Sequence, residues 1–166
     1  MKDNNPSNIF SVIATPFGNL GITVTSDKLK QIHFLPEAPL TPKLDKHTQV
    51  VADALQAYFN NSKNSFDLIT LVQGTDFQKK VWNALTKIPC GTTLSYQALA
   101  QKLKTGPRAV GNACRRNPIP VVVPCHRVVA KKNLGGFAGQ TDGALMQIKQ
   151  WLLTHEGVKS TLDPTS

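Results

Sequence analysis

Between residues 9 and 35 apolar and polar positions alternate with a period of two, interrupted by short polar turns. Phe10 to Ala14, Ile22 to Thr25 and Gln31 to Leu35 read as strands, separated by Phe17-Gly18-Asn19 and Ser26-Asp27-Lys28. That pattern predicts a three-stranded antiparallel meander. A link with Pro36, Pro39 and Pro42 follows, and the period then changes to that of a helix, with Val51, Ala54, Leu55 and Tyr58 on one face and Asn60-Asn61 at its end. This strand-then-helix unit carries no evident chemistry. It reads as a scaffold domain over residues 1–74, with His33 and His47 as ordinary surface or core residues.

Gln73-Gly74-Thr75 marks a boundary, and residues 75–166 read as a second, mostly helical domain. Thr75 or Asp76 caps a helix from Phe77 to about Lys87, with Phe77, Val81, Trp82 and Leu85 facing inward and Pro89 and Gly91 stopping it. Ser95 suits the N-cap of a helix over Tyr96 to Leu103. After Thr105-Gly106, Pro107 suits the first position of the next helix, which carries Arg108, Ala109, Val110, Ala113 and Cys114. Two short helices across a glycine-containing turn form a helix-turn-helix pattern, whose second helix is the one that enters a DNA groove. Plain helical cores use the same pattern. Val128-Val129-Ala130, Lys131-Lys132-Asn133 and Leu134-Gly135-Gly136-Phe137 suggest a hairpin or wing with a basic tip. A last helix from about Ala144 buries Leu145, Ile148, Leu152 and His155 or its neighbours, and Gly157 ends it. The fold class expected is α+β.

Charge sharpens this division. Residues 1–74 hold six Lys and six acidic residues, whereas residues 75–166 hold nine Lys, four Arg and four acidic residues, so the net charge of +9 lies wholly in the second part. A basic half points to a polyanion partner such as nucleic acid, against the plainer reading of a solvated basic surface. No apolar run approaches the roughly 20 residues that span a bilayer, so no membrane partner is expected. Met1-Lys2-Asp3-Asn4-Asn5-Pro6 lacks the apolar segment of a secretory signal. Three cysteines, Cys90, Cys114 and Cys125, have neither disulfide-framework nor metal spacing. A reducing, cytoplasmic setting and no metal are expected.

The chemistry concentrates in Val121-Val122-Val123-Pro124-Cys125-His126-Arg127-Val128-Val129. A thiol attacks carbon as the thiolate, which requires a nearby base or a positive field; His126 or Arg127 can supply either. A buried structural cysteine is the competing reading. Upstream, Asn117-Pro118-Ile119-Pro120 fixes an extended loop. Downstream, Glu156 stands at a helix C-terminus, the unfavourable end of the dipole for a carboxylate unless it has a partner.

With these residues assembled, the chain resembles the O6-alkylguanine-DNA alkyltransferases, the methylated-DNA–protein-cysteine methyltransferases. The resemblance rests on Gly91-Thr92, Ser95-Tyr96-Gln97-Ala98-Leu99-Ala100, Arg108-Ala109-Val110-Gly111, Asn117-Pro118-Ile119-Pro120, Pro124-Cys125-His126-Arg127-Val128-Val129, Gly135-Gly136-Phe137-Ala138-Gly139 and Trp151-Leu152-Leu153-Thr154-His155-Glu156-Gly157. These segments run in order through most of residues 75–157. The first domain matches only in size and in its strand-then-helix plan.

The resemblance implies a ribonuclease H-like first domain and a winged-helix-like second one. It implies a single-use transfer of a methyl or larger alkyl group from guanine O6, and from O4-methylthymine, in duplex DNA to Cys125. His126 would be the base and Glu156 its orienting acid, with Asn117 hydrogen-bonding near the thiol. The target nucleotide must be turned out of the stack. Arg108 resembles the family's arginine finger, and Tyr96 the tyrosine that helps rotate the nucleotide and reaches guanine N3. Read alone, Tyr96 is a packing residue. Ala109 and Gly111 are small enough for minor-groove approach, and Thr75 and Arg115 complete the expected DNA contacts. Pro120, Val128, Gly135, Phe137 and Ala138 would line the pocket. Gln140-Thr141-Asp142-Gly143-Ala144 makes the stretch before Lys149 longer than in many relatives, which bears on the alkyl groups accepted. No cofactor is implied, and the protein would act as a monomer. A binding-only relative would lack the cysteine, and a thiol hydrolase would need an oxyanion hole and repeated turnover.

Overall fold

The structure is a computed structural model, which describes residues 8–131, 135–137 and 143–158. The chain divides into two compact units, Met1–Val72 and Gln73–Ser166.

In the first unit, strands β1 (Asn8–Ile13), β2 (Leu20–Thr25) and β3 (Lys28–Phe34) form an antiparallel sheet in the order β1-β2-β3. The Thr25↔Lys28 pair leaves only Ser26 and Asp27 in the connecting turn, and Ser26 takes a left-handed φ of 55° there. β2 is buried along its whole length. Its Leu20, Ile22 and Val24 join Val51, Leu55, Tyr58 and Phe59 of α1 (Lys46–Asn60) in the core. Asp45 caps α1 by accepting from the Thr48 backbone N–H at 3.1 Å. Beyond α1, the Leu29 backbone pairs with Ile69 and Leu71, at 2.9 Å in each direction.

The second unit begins with α2 (Asp76–Thr86), opened by a reciprocal cap: Gln78 N–H donates to Thr75 Oγ1, and Thr75 N–H donates to Gln78 Oε1. Val81, Trp82 and Leu85 face inward as the pattern predicts, but Phe77 is 37 % exposed. It sits in the first turn of the helix, ahead of the buried Val81, Trp82 and Leu85. Strand β4 (Leu94–Ser95) leads into α3 (Tyr96–Leu103), with Ser95 Oγ accepting from Ala98 N–H at 2.9 Å. Lys104 in the left-handed region ends α3, and α4 (Pro107–Arg115) follows with proline in its first turn. Trp82 Nε1–H donates to the Ala113 carbonyl at 2.7 Å and ties α2 to α4.

A 3-10 turn (Cys125–Arg127) runs into strand β5 (Val128–Val129), which pairs in parallel with β4. Val128-Val129 therefore joins the strand before α3, where the sequence suggested the start of a hairpin; the tip residues 132–134 lie outside the described residues. Helix α5 (Ala144–His155) closes the unit. It buries Ile148, Lys149, Leu152 and Leu153; Leu145, expected inside, is half-buried, and of His155 and its neighbours it is Glu156 that is buried. Among the described residues the fold is α+β, with a three-stranded antiparallel sheet and five α-helices.

Candidate active site

The loop between α4 and the 3-10 turn is held by one side chain. Asn117 Nδ2–H donates to the Val123 carbonyl at 2.8 Å, and Asn117 Oδ1 accepts from Ile119 N–H at 3.0 Å. Val123 N–H donates to the Ile119 carbonyl, and Cys125 N–H to the Val123 carbonyl. Within this clamp Val121 adopts φ 76°, a left-handed conformation that a β-branched residue takes only where its surroundings impose it. The strained segment ends on Pro124 and delivers Cys125 into the interior, 6 % exposed.

Next to it, His126 is fully buried, and its Nε2 lies 2.9 Å from Glu156 Oε2. Arg127 holds the same carboxylate through Nε to Oε1 at 2.8 Å and Nη2 to Oε2 at 3.0 Å, while its Nη1 donates to the Ile88 carbonyl at 2.6 Å. The acid at the end of α5 thus has two partners, which removes the objection to a carboxylate at a helix C-terminus. Of the two residues that could serve the thiol, Arg127 is committed to fixing Glu156. His126 Nδ1 is buried and makes no hydrogen bond among the described residues.

The electrostatics follow from burial. Burial raises the Cys125 thiol above its usual range, opposed by a hydrogen bond from the Asn117 side chain and by the charge of Lys149. Burial also lowers His126, outweighing the support of Glu156, so the imidazole is neutral at neutral pH. A carboxylate can only accept, so Glu156 fixes the proton of a neutral His126 on Nε2 and leaves Nδ1 as an acceptor.

Around this core lie several residues singled out in the sequence. Tyr96, the first residue of α3, directs its hydroxyl to the Gly136 carbonyl at 3.3 Å, and burial raises its pKa. A Cβ on Gly135 would sit 2.7 Å from the Tyr96 ring, and Gly135 has φ 70°, so glycine is required there on both counts. Gly111 of α4 faces the other edge of that ring, where a Cβ would lie 4.0 Å from it, at van der Waals distance. Pro120, Val128 and Phe137 are buried; Ala138 lies outside the described residues, as does most of the longer stretch before Lys149. Arg108 and Arg115 are exposed at the two ends of α4, and Ala109 is half-buried. Thr75 is exposed, with its hydroxyl engaged in capping α2. Cysteine, histidine, asparagine, glutamate and tyrosine are therefore gathered through shared contacts, whereas Arg108, Arg115 and Thr75 lie on the surface. Among the described residues no cluster of His, Cys, Asp and Glu could hold a metal ion.

One residue of the cluster gave no signal in the sequence. Lys149 of α5 is fully buried, and its Nζ donates to the Val128 and Gly136 carbonyls, each at 2.8 Å, 5.9 Å from the Tyr96 ring centroid. Only the tertiary arrangement of those two carbonyls reveals it.

Comparison with known proteins places this arrangement. Residues 76–158 match the family profile of the 6-O-methylguanine DNA methyltransferase DNA-binding domain. The methylated-DNA–protein-cysteine methyltransferase of Methanosarcina acetivorans is 36 % identical over 157 residues, covering 89 % of this chain and 97 % of that one. The constitutive enzyme of that name from Bacillus subtilis is 36 % identical over 163 residues, covering 91 % and 96 %. In three dimensions the chain is similar to Mycobacterium tuberculosis O6-methylguanine methyltransferase, with TM-score 0.77, 32 % identity and coverage of 90 % and 93 %. It is also similar to the Mycobacterium tuberculosis OGT protein in complex with DNA, with TM-score 0.74, 33 % identity and coverage of 92 % and 96 %. A profile over half the chain, near-complete relatives above 30 % identity and an accompanying structural match together mean that this chain belongs to the methylated-DNA–protein-cysteine methyltransferase family.

Proposed function

We propose that this chain repairs O6-alkylguanine in duplex DNA by moving the alkyl group onto Cys125 Sγ, once per molecule. The observation that carries the reading is the buried His126–Glu156 pair directly after the buried Cys125, in which His126 Nδ1 makes no hydrogen bond among the described residues. His126 Nδ1 takes the thiol proton, relayed through a water, and Glu156 stabilises the imidazolium that forms. The sulfur lone pair attacks the alkyl carbon, the carbon–O6 bond breaks, and its electron pair stays on the purine, which is then protonated. The thioether formed offers no leaving group to water, so the protein is consumed. O4-methylthymine presents the same bond to the sulfur and falls within the same chemistry.

A thiol 6 % exposed cannot reach a base inside a duplex, so the nucleotide must be rotated out. Arg108 at the exposed start of α4 has the long planar head to occupy the gap in the stack. Ala109 and Gly111 beside it let the helix approach the minor groove closely. Tyr96 directs its hydroxyl toward guanine N3, and Pro120, Val128, Gly135 and Phe137 enclose the base. Arg115 and Thr75 contact the backbone. The second unit works as a winged-helix-like DNA reader, and the first, ribonuclease H-like, as its scaffold. The protein acts as a cytoplasmic monomer without a cofactor.

Intact-mass measurement after incubation with a duplex bearing O6-methylguanine tests this. A gain of one methyl on Cys125, absent in Cys125→Ala while DNA binding persists, is the expected result. An unmodified sulfur in folded, DNA-bound protein would overturn the assignment.

A further inference from the structure

We propose that Lys149 is a positioning residue for the transfer: its buried ammonium, gripped by the Val128 and Gly136 carbonyls, supplies the positive field that stabilises the Cys125 thiolate. The inference rests on the reading of Cys125 as the nucleophile. Val128 is the residue on which the 3-10 turn of Cys125 ends, and its N–H donates back to the Cys125 carbonyl. Lys149 therefore grips the turn that carries the sulfur, and through Gly136 it grips the segment against which the Tyr96 hydroxyl rests.

A fully buried ammonium is costly, and burial alone drives it toward the neutral amine. A lysine with merely mechanical duties would be better replaced by an uncharged donor. What favours retaining the charge is an anion that appears during the reaction. Glu156 is the one buried carboxylate among the described residues, and it is held by His126 and Arg127. Among the described residues, the titratable groups that interact with Lys149 include Tyr96 from α3, Cys114 from α4, and Cys125 and His126 from the 3-10 turn. Cys114 is pushed up to about 12 by burial and stays a thiol, and the Tyr96 phenol is raised as well. His126, when it accepts the thiol proton, becomes a cation. The sulfur of Cys125 is the group among these that becomes an anion during transfer, and the charge of Lys149 acts on it.

The coupling must run both ways: the ammonium eases ionisation of the thiol, and the thiolate holds the proton on the amine. Burial brings Lys149 down to about 8, close enough to neutrality for its charge to respond to what the sulfur does.

Two measurements test this. In the first, the single-turnover rate of Lys149→Gln, which keeps a donor but no charge, is followed against pH by mass gain on Cys125 with O6-methylguanine duplex. The rate at pH 7 should fall about tenfold, with the rising limb displaced upward by about one unit, since one unit of thiol pKa is tenfold in thiolate. A profile parallel to wild type, whatever its height, would reduce Lys149 to a structural tie and overturn the proposal. The second does not need that variant to fold. The Lys149 Nζ is titrated by NMR in the wild-type chain and in Cys125→Ser. A lower lysine pKa in the serine variant is expected, and identical values would overturn the proposal. If the wild-type chain gains no mass, the repair reading fails, while the NMR comparison still decides whether Lys149 and the thiol are coupled.

Discussion

Replacing Glu156 by glutamine changes one oxygen for one amide nitrogen in a site with no room for either error. Three donors converge on the carboxylate: His126 Nε2–H at 2.9 Å, and Arg127 Nε–H and Nη2–H at 2.8 and 3.0 Å. The amide offers one accepting oxygen and one donating nitrogen. Turned toward Arg127, the nitrogen sets donor against donor. Turned toward His126, it forces the imidazole proton onto Nδ1, the atom that must accept the thiol proton. The side chain of Glu156 is completely buried and that of Arg127 only 12 % exposed, so solvent cannot repair either arrangement. Breaking a buried pair on one side costs about 3 kcal/mol at the lower end. With a urea slope of about 2 kcal/mol/M, the unfolding midpoint should drop by about 1.5 M. The single-turnover rate at pH 7 should fall at least about 100-fold, the contribution expected of a positioned base. Raising the pH should shrink the deficit, because hydroxide can then remove the thiol proton without the histidine. The assay pairs urea denaturation with rapid-quench mass analysis of Cys125 from pH 6 to 9. A rate within about threefold of wild type at pH 7, or a deficit unchanged by pH, would refute the role given to the Glu156–His126 pair.

Four further outcomes are expected. Gly135→Ala should lose about 1–3 kcal/mol of stability and slow transfer, because the methyl meets the Tyr96 ring at 2.7 Å at φ 70°; a thermal melt and the rate on duplex report both. Gly111→Ala meets nothing closer than 4.0 Å and lies within a helix, so it should leave stability equal or up to about 1 kcal/mol higher, while duplex affinity in a titration falls if α4 approaches DNA closely. Arg108→Ala should change stability by less than about 0.5 kcal/mol, yet slow repair of duplex much more than reaction with free O6-benzylguanine; equal losses on both would remove its role in extruding the base. His126 has its pKa lowered from 6.5 by burial, so on acidification the unfolded chain takes up its proton first. The stability this neutral histidine provides is fully present above pH 6.5 and is lost as pH falls toward the folded value; urea midpoints from pH 5 to 8 should show that slope, and His126→Gln should lack it.

What the sequence discloses here is local chemistry, and what it hides is set by neighbours far away in the chain. Ser95 and Pro107 place the starts of α3 and α4 correctly because a cap and an N1 proline act within a single turn. For α2 the sequence left the cap open between Thr75 and Asp76, and the structure gives it to Thr75. The pairing of Glu156 was legible because an acid at a helix C-terminus poses a problem that a nearby His126 or Arg127 solves, and both do contact it. Lys149 posed none. A lysine among Ile148, Gln150 and Trp151 reads as a solvated helix position, and its burial depends on carbonyls 21 and 13 residues away along the chain. Arg127 was ambiguous for the same reason, since its partners Ile88 and Glu156 are 39 and 29 residues distant. The β4–β5 ladder has only two residues in each strand, too few for any period to register, yet it brings the start of α3 beside the turn of Cys125. The misplaced expectations share this origin: Phe77 and Leu145 fit an apolar stripe, but a stripe near a helix end is buried only as far as the neighbouring element extends. Lys149 and Arg127, the residues least readable in sequence, thus each add a charge to a site whose electrostatics burial dominates, and substitutions at them should alter the pH dependence of transfer more than a sequence comparison alone would suggest.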